Sequence, residues 1–190
     1  MIALAAATLL FLVTHSLFAS DKAKAIAAER LRLARWYRLA YSLWSSLTLA
    51  LVLLLWWPSA QELLFEVSMA VRSLAWVLIL LGASIALLAI TRFGAAGFIG
   101  LAPEREGGLV RTGLHARVRH PIYTGIIVML LGWCLAWPAM GTLLVAAMML
   151  AYLPIGMRLE ERKLIALFGG EYERYRREVP ALWPRLLAGR

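Results

Sequence analysis

The chain has 190 residues, 62% hydrophobic and 16% charged, with a formal net charge of +9 and a mean hydropathy of +0.75. A soluble domain is about half apolar and a quarter charged, so this composition excludes an ordinary water-soluble globule. The positive charges flank long apolar stretches, which makes them topological signals and argues against nucleic acid as a partner.

Residues 1–20, 39–61 and 73–91 contain no Asp, Glu, Lys or Arg, and neither does the run 122–157. The last run is too long for one crossing: as a helix it would extend about 54 Å, against a hydrocarbon core of about 30 Å. Trp137-Pro138 near its middle supplies the break, since proline can end one helix and open the next. The expectation is a single all-α integral membrane domain with five transmembrane helices, at about 1–20, 39–57, 73–91, 122–137 and 139–157. Six of the 20 Lys and Arg fall in 20–38, five in 92–121 and eight after residue 157; Arg72 is alone in 58–72, and 137–141 has none. Alternate connections are therefore basic, which predicts a multi-pass cell-membrane protein with its N-terminus outside and its C-terminus in the cytoplasm. Membrane lipid headgroups are expected neighbours of some of these arginines.

The opening stretch MIALAAATLLFLVTHSLFAS lacks a basic leader and carries a histidine, so it reads as a retained helix rather than a secretory signal. Cys134, the one cysteine, lies within a span and reads as a small apolar filler. Three scattered histidines and a glutamate pair lack metal-ligand spacing, so no metal is expected. No glycine-rich dinucleotide fingerprint is present, and nothing in the sequence bears on oligomeric state.

Polar chemistry gathers next to two spans. One place is the loop RFGAAGFIGLAPEREGGLVRTGLHARVRHP over 92–121, leading into Tyr123; the other is the tail after residue 157. Both fall on the cytoplasmic side in this topology, and the hairpin between them lets them meet. In the tail, Leu159, Leu164, Ile165, Leu167 and Phe168 are interleaved with Glu160, Glu161, Arg162 and Lys163. Gly169-Gly170 is expected to end that helix, and a short one over 171–178 sets Tyr172 and Tyr175 on one face before Pro180. By composition alone this is an amphipathic surface helix anchored by Tyr and Trp183, with Glu160 and Glu161 paired to Arg158, Arg162 and Lys163. The alternative is a glutamate pair that holds a cation or ribose hydroxyls. Arg119-His120-Pro121 opens the fourth span, and a titratable ring at a helix N-terminus suits an anionic ligand group. An unpaired His15 inside a span would cost several kcal/mol, which makes it a functional candidate against the alternative of a neutral ring bonded to a neighbouring helix backbone.

The ordered series GGLVRTG, RHPIYTG, a charge-free hairpin and LEERKLIALFGGEYERYRREVP resembles the membrane methyltransferase superfamily of isoprenylcysteine carboxyl methyltransferases and phospholipid N-methyltransferases, over about Gly107 to Pro184. The resemblance implies S-adenosyl-L-methionine as cofactor, bound at the cytoplasmic face, and methyl transfer to a small or lipophilic thiol, carboxylate or amine. It implies that Gly108, Leu109 and Val110 lie against the cofactor, and that His115, Arg119, His120 and Tyr123 wall the mouth of the fourth helix. It further implies that Glu160 and Glu161 face the ribose or amino group, and that Tyr172 and Tyr175 form a lid with Phe168 behind them. His15 and Arg158 are the candidate catalytic residues. The prenylcysteine enzymes resemble one another in an arginine one turn before the glutamate pair; here that position is Gly156, and Arg158 is two residues out of phase. A prenylcysteine carboxylate is accordingly disfavoured as acceptor.

The N-terminal half, THSLFASDKAK followed by RWYRLAYSLWSSLTLALVLLLWWPS, looks like methanethiol S-methyltransferases and NnrU-like proteins. The second likeness admits a haem-binding isomerase or redox protein with His15 and His120 or His115 as axial ligands. A non-catalytic membrane scaffold is the third class.

Overall fold

The structure is a computed structural model that describes residues 1–29, 36–92 and 108–185. The expected cofactor-binding loop over 92–121 lies outside the described residues from 93 to 107, as do the basic residues Arg30, Arg32, Arg35 and Arg105. Among the described residues the regular structure is helical: α1 (Ile2–Phe18), α2 (Asp21–Glu29), α3 (Tyr37–Ser59), α4 (Met69–Thr91), a 3-10 turn (Gly113–Ala116), α5 (Pro121–Ala136), α6 (Met140–Phe168) and α7 (Gly170–Glu178). An all-α membrane protein is thus what the chain forms. Three helices, α3, α4 and α6, are long and apolar enough to cross a membrane. The first and fourth expected spans are shorter apolar helices, 17 residues in α1 and 16 in α5.

Local chemistry sets these limits. Pro121 stands at the first position of α5, where its missing N–H costs nothing. The break expected at Trp137-Pro138 is present, and Leu64 N–H reaches across to the Pro138 carbonyl at 2.8 Å. At the end of α1 the Ser20 hydroxyl accepts from the Ala23 N–H at 3.2 Å. That cap begins α2, a helix where the sequence suggested only a basic connection. Gly169, at φ +51°, ends α6, a conformation that favours glycine.

The closest packing is between α4 and α5. Ala75, Gly82 and Ala89 recur every seven residues along the buried side of α4, facing Gly125 and Gly132 on α5. Without side chains in the way the two backbones touch: a methyl on Gly132 would stand 2.6 Å from the Ala75 carbonyl oxygen. Small residues are what membrane helices use for such approach, because lipid provides no hydrophobic drive between them. A second core joins α1, α3 and α6 through Leu4, Ala7, Val52, Trp56, Ala60 and Val145. Trp56 stacks among Trp133 and Trp137, at ring separations of 4.8 and 5.7 Å. Its indole N–H donates to the buried Thr142 hydroxyl at 2.9 Å, so a polar group inside the bundle is satisfied.

Outside, large apolar side chains stay uncovered along α3 and α4, among them Leu54, Leu80 and Leu88. So extensive an exposed apolar surface suits lipid rather than water. Replacing Gly132 by Leu should destabilise the detergent-solubilised protein by about 1–3 kcal/mol through overpacking. Gly170→Ala, where an added methyl meets nothing within 4 Å, should leave the thermal midpoint unchanged; light-scattering or intrinsic-fluorescence melting reads both.

Candidate functional site

Residues 108–124, the second half of α6, and α7 with the segment after it converge at the N-terminal end of α5. The junction is sewn by backbone. The Arg119 N–H donates to the Pro180 carbonyl at 2.8 Å and the His120 N–H to that of Ala181 at 3.0 Å. The Thr124 hydroxyl adds a bond to Leu182 O at 2.7 Å. Segment 179–182 is thereby strapped across the head of α5.

Arg119 ties this strap to α6. Its Nη1 donates to the carbonyls of Arg176 and Val179, while Nε and Nη2 donate to Glu161 Oε1 at 3.1 and 2.9 Å. The adjacent His120, 2% exposed, lies between two carboxylates: Nε2 is 3.1 Å from Glu161 Oε1 and Nδ1 is 3.4 Å from Glu160 Oε2. Arg176 approaches the other Glu161 oxygen at 3.8 Å. Burial alone would lower the His120 pKa, but the two glutamates outweigh it and raise the pKa above the usual histidine value. Burial would likewise raise Glu161, yet hydrogen bonds from His120 and Arg119 hold its pKa below the ordinary carboxylate range. The cluster is thus a set of charge-assisted bonds built on one carboxylate. Glu160 differs, since its side chain is 46% exposed.

The two tyrosines expected to form a lid, Tyr172 and Tyr175, are buried behind this cluster. The Tyr175 hydroxyl donates to the His115 carbonyl at 2.6 Å, and burial pushes its pKa up to about 12. Arg111 stands 5.7 Å over the same ring and pairs with Glu178 at 2.8 Å. Tyr172 packs against Tyr175 at 5.8 Å; it is 1% exposed, and its hydroxyl has no hydrogen-bond partner among the described residues. His115 is buried, which lowers its pKa despite the charge of Glu160 nearby.

Of the residues expected at the site, Arg119, His120, Tyr123, Glu160, Glu161, Tyr172 and Tyr175 are gathered, with His115 beside them. The Tyr123 ring meets the His120 ring edge-on at 5.5 Å. Gly108 is exposed, Leu109 and Val110 are half-buried, and no hydrogen bond joins these three to the cluster among the described residues. Arg158 is exposed and takes no part in these ion pairs. The local pairing of the glutamates with Arg158, Arg162 and Lys163 is replaced by partners distant in sequence, because Glu161 faces α5. Lys163 instead donates to the Ala19 carbonyl at 2.6 Å.

His15 belongs to a second cluster, where Tyr41 Oη lies 3.0 Å from its Nδ1 and Ser45 Oγ lies 3.3 Å from the same atom. Its partners are side chains on α3, not the helix backbone that the structural alternative supposed. Tyr41, Ser45 and Tyr152 were not among the expected site residues. A polar stripe of Tyr37, Tyr41, Ser45 and Thr48 at helical spacing in an apolar span was the available signal.

The opposed shifts set a pH window. His120, raised when folded, contributes stability that is complete below its unfolded pKa and is lost as pH rises through the folded value. Glu161, depressed, contributes stability above its unfolded pKa that is lost as pH falls through the folded one. The thermal midpoint in detergent should therefore be highest at mildly acidic pH and fall toward alkaline pH, and His120→Gln should flatten the alkaline limb.

Known proteins can now be set beside this geometry. The NnrU protein family matches residues 3–188. Methanethiol S-methyltransferase 2 of Bradyrhizobium diazoefficiens is 37% identical, over 95% of this chain and 72% of that protein. Methanethiol S-methyltransferase of Mycobacterium tuberculosis is 32% identical, over 72% of this chain and 60% of its own length. Protein-S-isoprenylcysteine O-methyltransferase of Schizosaccharomyces pombe is 36% identical, over 38% of this chain and 31% of that one. No solved structure matches. With a match running through nearly its whole length, the chain belongs to the NnrU protein family and is a homologue of methanethiol S-methyltransferases.

Proposed function

We propose that the protein is a multi-pass membrane methyltransferase that moves a methyl group from S-adenosyl-L-methionine to a small thiol. The observation that carries this reading is the strapped cluster of Arg119, His120, Glu160 and Glu161, on a scaffold homologous to enzymes named for thiol methylation. In this reading all five apolar helices cross, with the N-terminus outside and the cluster at the cytoplasmic face. At 16 and 17 residues, α5 and α1 extend about 24–26 Å, a mismatch that local thinning and snorkelling accommodate.

The donor set fits such a group. Glu160 is a half-exposed carboxylate that can accept from ribose hydroxyls or an amine. Tyr172 carries a buried hydroxyl with no hydrogen-bond partner among the described residues, and the ring of the half-buried Tyr123 suits a sulfonium cation. When bound, the cofactor supplies a methyl group already activated for in-line displacement. The residues of this chain then have to align the acceptor and exclude water, for which the 179–182 strap and the buried tyrosine pair are placed. On the acceptor side the space at Gly156 is occupied by the Tyr123 phenol, whose oxygen is 2.9 Å from where a Cβ would stand. Among the described residues no cation is seen at that place to meet an acceptor carboxylate, which favours a thiol. A lipophilic thiol could enter from the bilayer between helices.

Isothermal titration of S-adenosylhomocysteine into the detergent-purified protein should give saturable micromolar binding, without a Soret band on the same sample. Glu160→Gln should weaken that binding about tenfold, the worth of one charge-assisted hydrogen bond. Absence of binding in the wild type together with a Soret band would move the protein to the haem class.

A further inference from the structure

A column of polar side chains inside the bundle is used neither by the strap nor by the packing cores. It starts at His15 on α1, held by Tyr41 and Ser45 of α3. Tyr41 is an electrostatic neighbour of Tyr152 on α6, and Tyr152 in turn of Tyr123 on α5, which also faces Glu160. Gly156 makes the junction possible, because its missing side chain leaves the place where Tyr123 and Tyr152 meet: a Cβ there would stand 3.3 Å from Cε1 of Tyr123 and 3.4 Å from Cε1 of Tyr152.

Helix register relates the histidine to the phenols. Leu4 of α1 lies beside Gly141 of α6, and Lys163 farther along α6 reaches the Ala19 carbonyl, so the helices run parallel. Counting eleven residues on from each member of the first pair sets His15 at the height of Tyr152. Hydroxyls and an imidazole lined up inside an apolar bundle are costly unless they serve a ligand or a proton.

We propose that His15, oriented by Tyr41 and Ser45, is the base that takes the proton of the methyl acceptor. This rests on the thiol-methyltransferase reading. The acceptor S–H bond breaks and its proton goes to the imidazole. The freed sulfur pair forms the new S–CH3 bond, while the electrons of the bond from methyl to sulfonium stay with the departing sulfur. The imidazole gives its proton up to water once the product has left. Among the described residues, titratable or charged groups near His15 include Tyr37, which donates to the Phe18 carbonyl, Lys163, which donates to that of Ala19, and Arg38, one turn before Tyr41 on α3. Lys22 and Lys24 on α2 are exposed.

The test compares two acceptors in the detergent-purified full chain with S-adenosylmethionine: ethanethiol, protonated at neutral pH, and 4-nitrobenzenethiol, ionised at neutral pH. His15→Gln should lower the kcat/KM ratio of ethanethiol to 4-nitrobenzenethiol about 100-fold, the low end of what a positioned base contributes, with S-adenosylhomocysteine affinity held within about twofold. Tyr41→Phe should move the ratio the same way by less, and it carries the test if His15→Gln does not fold. A ratio that stays constant in both variants, whatever happens to the absolute rates, overturns the assignment of the base. Wild-type protein that binds S-adenosylhomocysteine but methylates neither thiol overturns the acceptor class and the base with it.

Discussion

The end of the bundle that holds the charged cluster depends on one carboxylate. Glu161 receives two hydrogen bonds from Arg119, lies against His120, and is approached by Arg176. Through those partners it holds α6, the head of α5 and the chain after α7 in one arrangement. A half-buried carboxylate with fewer partners would be a liability in so apolar a protein. Here each charged group of the cluster has an opposite charge or a carbonyl to meet, so the strap over 179–182 is held by bonds that weaken together.

The rest of the bundle supplies a rigid frame for that end. Small residues at seven-residue spacing let α4 and α5 touch through their backbones, and the tryptophans around Trp56 fill the wider gap among α1, α3, α5 and α6. Both devices rely on close packing, which is what remains to hold helices together when lipid is as apolar as leucine. Two polar sets are then kept in register: the charged cluster at the bundle end, and the histidine and phenols within it. That separation suits a reaction whose donor is polar and whose acceptor can arrive through the bilayer.

Much of this was legible in one dimension. Charge-free runs located the apolar helices, Trp137-Pro138 marked the break before α6, and Gly169-Gly170 marked its end. Likeness to membrane methyltransferases was written in the order of GGLVRTG, RHPIYTG and LEERKL, and likeness to methanethiol S-methyltransferases and NnrU proteins in the N-terminal half. Most of the site residues named from that order are gathered at one end of the bundle. Gly108, Leu109 and Val110 are not bonded into the cluster, and Arg158 points away, because sequence proximity to a motif does not fix which face of a helix or which edge of a loop a residue occupies.

Composition and periodicity determined the class of the protein: an all-helical chain that belongs in lipid, since local hydropathy and backbone chemistry depend only on neighbours in sequence. Tertiary structure decided who pairs with whom. Glu161 passes over the nearby Arg158, Arg162 and Lys163 for Arg119 and Arg176, and His15 finds Tyr41 and Ser45 on another helix. Those choices follow from helix register and rotation, which are set by packing between backbones that no single segment contains.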